Sequence, residues 1–231
     1  MAPVAAMLRE GVPENLAVLL SGRRTWPAVE MLLASGDAQF DALIAPGHVA
    51  TIMGAEEWEL VASRYGIPVG VAGFTPESLL AAVYAVTLQV LEGHCRLENC
   101  YPEVARSGGN RHAQRVLAEV MAVTDANWRG IGIIPNSGFA LREAWRAHDA
   151  RYRYEINSAA AMACDQMPPG CACAQVVLGR IYPNQCPLYG KGCDPASPLG
   201  PCMVSDEGAC RIWWSGGVRR AGQTAKRSVS V

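Results

Sequence analysis

The chain has 231 residues, 50% hydrophobic and 18% charged, with a formal net charge of −1 at pH 7. That length supports one good core plus a small appendage, and the near-neutral balance, with no basic face, argues against nucleic acid as the main partner. The opening residues lack the basic start and apolar run of a secretory signal. The longest apolar-rich run, 79–91, contains Thr87 and Gln89 and is too short to span a bilayer. The expected setting is therefore the reducing cytoplasm, without a membrane, where stable disulfides are rare. Nine cysteines, an odd count, also do not suit a closed disulfide framework.

Residues 1–15 carry Pro3, Gly11 and Pro13 and read as a loose lead-in. Residues 17–21 (AVLLS) read as a short buried strand. Thr25 suits a helix cap and Pro27 a first turn, with Val29, Leu32 and Leu33 on one face and Gly36 at the end. Residues 42–45 (ALIA) predict a strand that stops at Pro46-Gly47-His48. Residues 56–65 predict a helix with acids in its first turn and Gly66 just beyond it. Residues 68–72 predict a third strand, stopping at Gly73-Phe74-Thr75. Thr75-Pro76-Glu77 then opens an amphipathic helix, with Leu79, Val83, Val86 and Val90, joined by Leu80, Thr87 and Leu91, as its apolar face.

Residues 94–109 resemble a linker. Residues 110–123 form another amphipathic pattern with Ala113, Val116, Leu117 and Val120 on one side. Residues 131–134 predict a strand stopping at Pro135-Asn136-Ser137-Gly138, and 141–148 a short helix. Strand and helix alternating in this way predict an α/β fold: a parallel sheet with flanking helices in Rossmann-like layering. A small, irregular, Cys-rich C-terminal unit follows. The expected division is a lead-in at 1–15, an α/β domain at 16–160, the Cys-rich unit at 161–214, and a flexible basic tail at 215–231, which holds Arg219, Arg220, Lys226 and Arg227 and no acid.

In an open parallel sheet, ligands bind beyond the carboxyl ends of the strands. His48 stands after a glycine at such an end and is the candidate catalytic side chain. Ser137 lacks a nucleophile elbow, and neither a dinucleotide fingerprint nor a phosphate-binding loop sequence occurs.

The Cys-rich stretch carries the more specific chemistry. Cys171, Cys173, Cys186, Cys193, Cys202 and Cys210 lie among Gly, Pro and Asn, with almost no helical periodicity. Such a segment cannot fold by burial alone and needs a staple. No C-x-x-C pair and no histidine occurs in it, which disfavours a zinc ribbon. Thiolates supplied from Pro-rich loops suit a [4Fe–4S] cluster, which takes four soft ligands and leaves two spare thiols as a redox-active pair. Cys186 and Cys193, having no near rivals, are the favoured ligands. Cys95, Cys100 and Cys164 are isolated and are assigned no role.

Cys186-Pro-Leu-Tyr-Gly-Lys-Gly-Cys193, followed by Gly200-Pro-Cys202-Met-Val-Ser-Asp-Glu-Gly-Ala-Cys210, resembles the C-terminal signature of the HypD hydrogenase formation (maturation) family. Three further stretches agree: Pro46-Gly47-His48-Val49 through Ile52-Met53-Gly54, Val71 to Pro76, and Trp128 to Gly138. The resemblance implies a scaffold with a redox role rather than a stand-alone enzyme. It would act with a HypC-like chaperone and a HypE-like protein to build the Fe(CN)2CO centre of nickel–iron hydrogenase, the hydrogenase large subunit being the indirect beneficiary. The resemblance also implies a [4Fe–4S] cluster on the C-terminal cysteines beside a thiol pair. Family members are longer and begin with another α/β domain carrying Cys-Gly-Gly-His and Gly-Pro-Gly-Cys-Pro-Val-Cys motifs. Neither motif occurs here, Thr75 replaces the usual Glu, and Ile-Trp-Trp follows Cys210. The chain thus reads as HypD lacking its N-terminal domain. Two other readings compete on the residues alone: a non-catalytic, zinc-stapled binding module, and a small-molecule α/β enzyme using the strand-end loops.

Overall fold

A computed structural model describes residues 1–36, 38, 40–156 and 167–219. The chain divides into two compact units, one of residues 1–30, 40–126 and 135–156, the other of residues 31–39, 127–134 and 157–231.

The first unit is built on a parallel sheet of three strands in the order β1-β2-β3: β1 is Leu43–Pro46, β2 Val69–Ala72 and β3 Leu97–Asn99. Leu43 pairs with Val69, and Val69 in turn with Leu97. All four residues of β2 are buried, as a central parallel strand requires. Residues 94–109, expected to be a linker, thus supply the third strand. Its polar sequence Leu-Glu-Asn lacks the apolar run that marks strands. An α/β unit with a parallel sheet is therefore observed. The sequential strand order contains no reversal among the described residues, so this sheet has no topological switch point.

Crossovers between strands are helical. Helix α3 (Gly47–Met53), a 3-10 turn (Ala55–Trp58) and α4 (Glu59–Tyr65) link β1 to β2. Gly66 ends α4 in the left-handed conformation at φ 64°. Helix α5 (Pro76–Glu92) links β2 to β3, and the Thr75 hydroxyl caps it by accepting from the Ser78 N–H at 3.3 Å.

The buried face of α5 differs from the expected one. Ser78, Ala82, Val86 and Gln89 face inward, whereas Leu80, Tyr84 and Leu91 are 67–77% exposed. The cause is the close approach of helix to sheet. A Cβ on Gly70 of β2 would lie 3.1 Å from Ala82 Cβ and 3.2 Å from Val86 Cγ1, so only small side chains fit the seam.

Residues 2–10, expected to be loose, form helix α1 (Ala2–Glu10). It packs on α6 (Arg111–Val120), capped by the Asn110 side chain, through a core of Ala5, Leu8, Leu20, Val116, Val120 and Met121. The expected strand at 17–21 reduces to one bridge between Val18 and Asp149. Helix α2 spans Thr25–Ala34, so Thr25 begins it rather than capping it.

The expected strand at 131–134 belongs to a hairpin of β4 (Met121–Trp128) and β5 (Gly132–Leu141). Three residues connect the two strands, far too few for a parallel crossover. Pro135-Asn136-Ser137-Gly138 therefore lies within β5 and is not a strand-end loop. The helix expected at 141–148 is a 3-10 turn over Glu143–His148.

The described part of the second unit is short helices and turns around the cysteines: Cys173–Val177, Pro201–Val204 and Ala209–Ser215, with a 3-10 turn at Pro183–Gln185. No helix among the described residues is long and apolar enough to cross a membrane.

Candidate functional site

The six clustered cysteines converge. Cys173, Cys186, Cys193, Cys202 and Cys210 are buried, Cys171 is half-buried, and all six line one cavity of about 10 Å³ together with Tyr189, Gly200 and Met203. The arrangement depends on glycines. A Cβ on Gly200 would lie 2.6 Å from Cys171 Sγ, and one on Gly208 would lie 2.3 Å from the Cys202 carbonyl oxygen. Proline then starts the helix at Pro201, which carries Cys202. The apolar wall is Tyr189 and Met203, each 1% exposed. The Tyr189 hydroxyl donates to the Val218 carbonyl at 2.8 Å, and its ring meets Trp214 edge-on at 5.7 Å.

All eight described cysteines are free thiols, and Cys164 lies outside the described residues. Backbone N–H groups point at three of the clustered sulfurs. Cys202 donates to Cys173 Sγ at 3.1 Å, Leu199 to Cys193 Sγ at 3.4 Å and Ala172 to Cys186 Sγ at 3.5 Å. Such donors stabilise negative charge on sulfur, the form in which a thiol binds metal.

Thiol hydrogen bonds also link Cys171, Cys173, Cys202 and Cys210 in series. The Cys202 thiol donates toward Cys173, which brings Cys173 down to about 7, and it lowers Cys210 in the same way. Cys202 itself is pushed up, chiefly because its proton is shared with those two sulfurs. Burial pushes Cys171 up to about 11.

The donor set, six soft sulfurs in an apolar pocket with N–H groups aimed at three of them, fits an iron–sulfur cluster chemically. Among the described residues no three Cys, His, Asp or Glu side chains converge closely enough to hold one metal ion. Cys186 and Cys193 stand outside the thiol-linked series.

Sequence reasoning missed two neighbours of the cluster. Arg129, at the hairpin tip, favours the Cys173 thiolate. The adjacent Gly130 packs so closely that a Cβ there would lie 2.7 Å from Met167 and 3.3 Å from Ala174. Tyr189 lay inside the cysteine motif, but its identity as cavity wall had no signal beyond that position.

His48, in the other unit, is exposed, at the start of α3, with its ring 5.1 Å from Phe74. Among the described residues no side chain hydrogen-bonds its imidazole. The strand ends do meet: Tyr101, just beyond β3, is wedged between the glycines that follow β1 and β2. A Cβ on Gly47 would lie 2.8 Å from the Tyr101 ring, and one on Gly73 2.7 Å from it. Cys95 donates to the Gly66 carbonyl at 2.9 Å, and burial pushes the Cys100 thiol up.

A family profile described as "HypD: Hydrogenase formation hypA family" matches residues 1–217. The chain belongs to the HypD family. The hydrogenase maturation factor HypD of Rhodobacter capsulatus is 38% identical over 216 residues, covering 93% of this chain and 57% of that protein. HypD of Escherichia coli is 38% identical over 189 residues, covering 81% of this chain and 50% of that protein. HypD of Azotobacter vinelandii is 33% identical over 213 residues, covering 90% and 55%. The chain thus spans about half the length of the curated relatives it matches. The HypD match takes in both units, cysteine cavity and strand-end loops alike.

Proposed function

We propose that this chain acts in the maturation of nickel–iron hydrogenases, as a scaffold whose cysteine unit carries a [4Fe–4S] cluster. The observation that carries this reading is the gathering of six thiols around one cavity in a chain that matches the HypD family. Cys186 and Cys193 are two of the ligands. Two of Cys171, Cys173, Cys202 and Cys210 complete the set, and the remaining two form a thiol pair. The cluster, when bound, supplies one-electron redox chemistry. The protein's own part is to keep the thiols dry, to direct N–H groups at three of the sulfurs, and to lower Cys173 and Cys210 toward the thiolate. A HypC-like chaperone and a HypE-like protein are the partners this role requires, with the iron carrying cyanide and carbon monoxide as cargo.

The test is anaerobic purification with iron, sulfide and zinc counts on the wild type, Cys186→Ala and Cys95→Ala. The expected result is a brown protein with about four irons that Cys186→Ala loses and Cys95→Ala keeps. A colourless, folded wild type carrying one zinc and no sulfide overturns the proposal, as does equal iron in both variants.

A further inference from the structure

Within the first unit lies a second cavity, a cleft of about 540 Å³, a size that suits a small organic ligand. Its lining is unlike that of the cysteine site. Ile52, Leu117, Met121, Val123 and Phe139 give it an apolar floor. Its charged residues are Arg23, Arg24 and Arg142 against a single carboxylate, Glu57. Burial pushes Glu57 up toward its neutral form, although Arg24 opposes this. The cleft is therefore apolar within and cationic on balance.

Two of the guanidiniums are fastened in place. Arg24 donates to the Asn136 carbonyl at 2.9 Å through its side chain, and its backbone N–H donates to the Ser137 carbonyl at 2.7 Å. Asn136 holds a left-handed φ of 55°, and its N–H is taken by the Asp125 carboxylate at 2.9 Å. A non-glycine residue at positive φ is a local cost that the surroundings must offset. Here it aims a carbonyl at Arg24. This gives the Asn136-Ser137 motif, which is no strand-end loop, a physical purpose. Arg142 donates through Nε to the Ala118 carbonyl at 2.8 Å and through its backbone to the Val120 carbonyl at 3.0 Å, at the carboxyl end of α6. A guanidinium carries five donors in a fixed fork. One carbonyl each, among the described residues, leaves most of each fork to a ligand. Fixed forks over an apolar floor lose little entropy on meeting an anion.

We infer that this cleft binds a small amphipathic organic anion, whose aromatic or branched body lies on Ile52, Leu117, Met121 and Phe139 and whose carboxylate, sulfonate or phosphate is met by Arg24 and Arg142. This goes beyond the maturation role and does not depend on the cysteine unit.

The probe is 1-anilinonaphthalene-8-sulfonate, titrated calorimetrically into the full chain, with its uncharged analogue N-phenyl-1-naphthylamine as comparison. One saturable site is expected, with affinity falling as salt rises. Arg24→Gln and Arg142→Gln should each weaken it about tenfold or more, the scale of one charge-assisted hydrogen bond. Arg115→Gln, an exposed arginine of α6 outside the cleft, should leave it unchanged. The uncharged analogue should bind at least tenfold more weakly, a comparison that stands even if a variant fails to fold. Equal binding of the two probes, non-saturable uptake, or equal affinity in Arg115→Gln and both cleft variants overturns the inference.

Discussion

Helix α5 offers the sharpest stability test, because pattern and structure assign its faces differently. Val86 is 6% exposed against β2, and Leu80 is 69% exposed on the same helix. Val86→Ala deletes two buried carbons, worth about 0.8 kcal/mol each in transfer, and a cavity cost adds to this. The expected loss is about 2 kcal/mol, or about 4–8 °C in Tm for a domain of this size. Leu80→Ala removes a larger group from a solvent-facing position, and alanine is an equally good helix former, so it should stay within about 0.5 kcal/mol. Ala82→Leu completes the series. Ala82 is fully buried against Gly70, and a larger side chain there overpacks the seam by about 1–3 kcal/mol. Urea denaturation followed by circular dichroism, with thermal melts alongside, measures all three. If Leu80→Ala cost as much as Val86→Ala, or Ala82→Leu were neutral, the helix would be rotated and the account of its seam would fall.

Glu57 makes a second test, this one of pH. Its folded-state pKa is raised by burial, so the protonated form is favoured on folding, and that contribution is lost as pH rises through the folded value. Glu57→Gln should therefore raise Tm at neutral pH, and the gain should shrink as pH falls through the raised folded value and vanish by the ordinary carboxylate value of about 4.3. A Tm difference independent of pH contradicts this. Tyr189→Phe deletes the hydroxyl bonded to Val218 while keeping the ring that walls the cysteine cavity. It should cost about 1 kcal/mol in urea denaturation without changing the iron content of anaerobic protein, and loss of iron in this variant would mean that the hydroxyl matters to the site itself.

Much of this was visible in the residues, for reasons that can be named. β1 and β2 are short apolar runs closed by Pro-Gly and Gly-Phe, and the burial of all four residues of the central strand β2 leaves that mark most plainly. The capping of α5 by Thr75 was equally plain. The inward face of α5 was not, because an amphipathic pattern records which side chains are apolar and not how near the sheet lies. Gly70 set the distance and so selected Ala82 over Leu79 and Leu80. β3 escaped notice because Glu98 and Asn99 serve the sheet through their backbones. The hairpin was misread because its connection, Arg129-Gly130-Ile131, resembles the lead-in to a buried parallel strand. At the cysteines, spacing alone named the residues, and the structure adds their convergence. Which sulfurs share protons, and the support from Arg129, depend on contacts distant in sequence.

The wedge of Tyr101 has a consequence for the kind of chemistry this half of the protein can host. Enzymes built on parallel strands leave the space above the strand tips vacant for a guest molecule. Here an aromatic ring from the chain itself lodges there, braced by two glycines. The unit thereby spends part of that space on cohesion, while the residues next along from β1, His48 and Val49, border an open cleft.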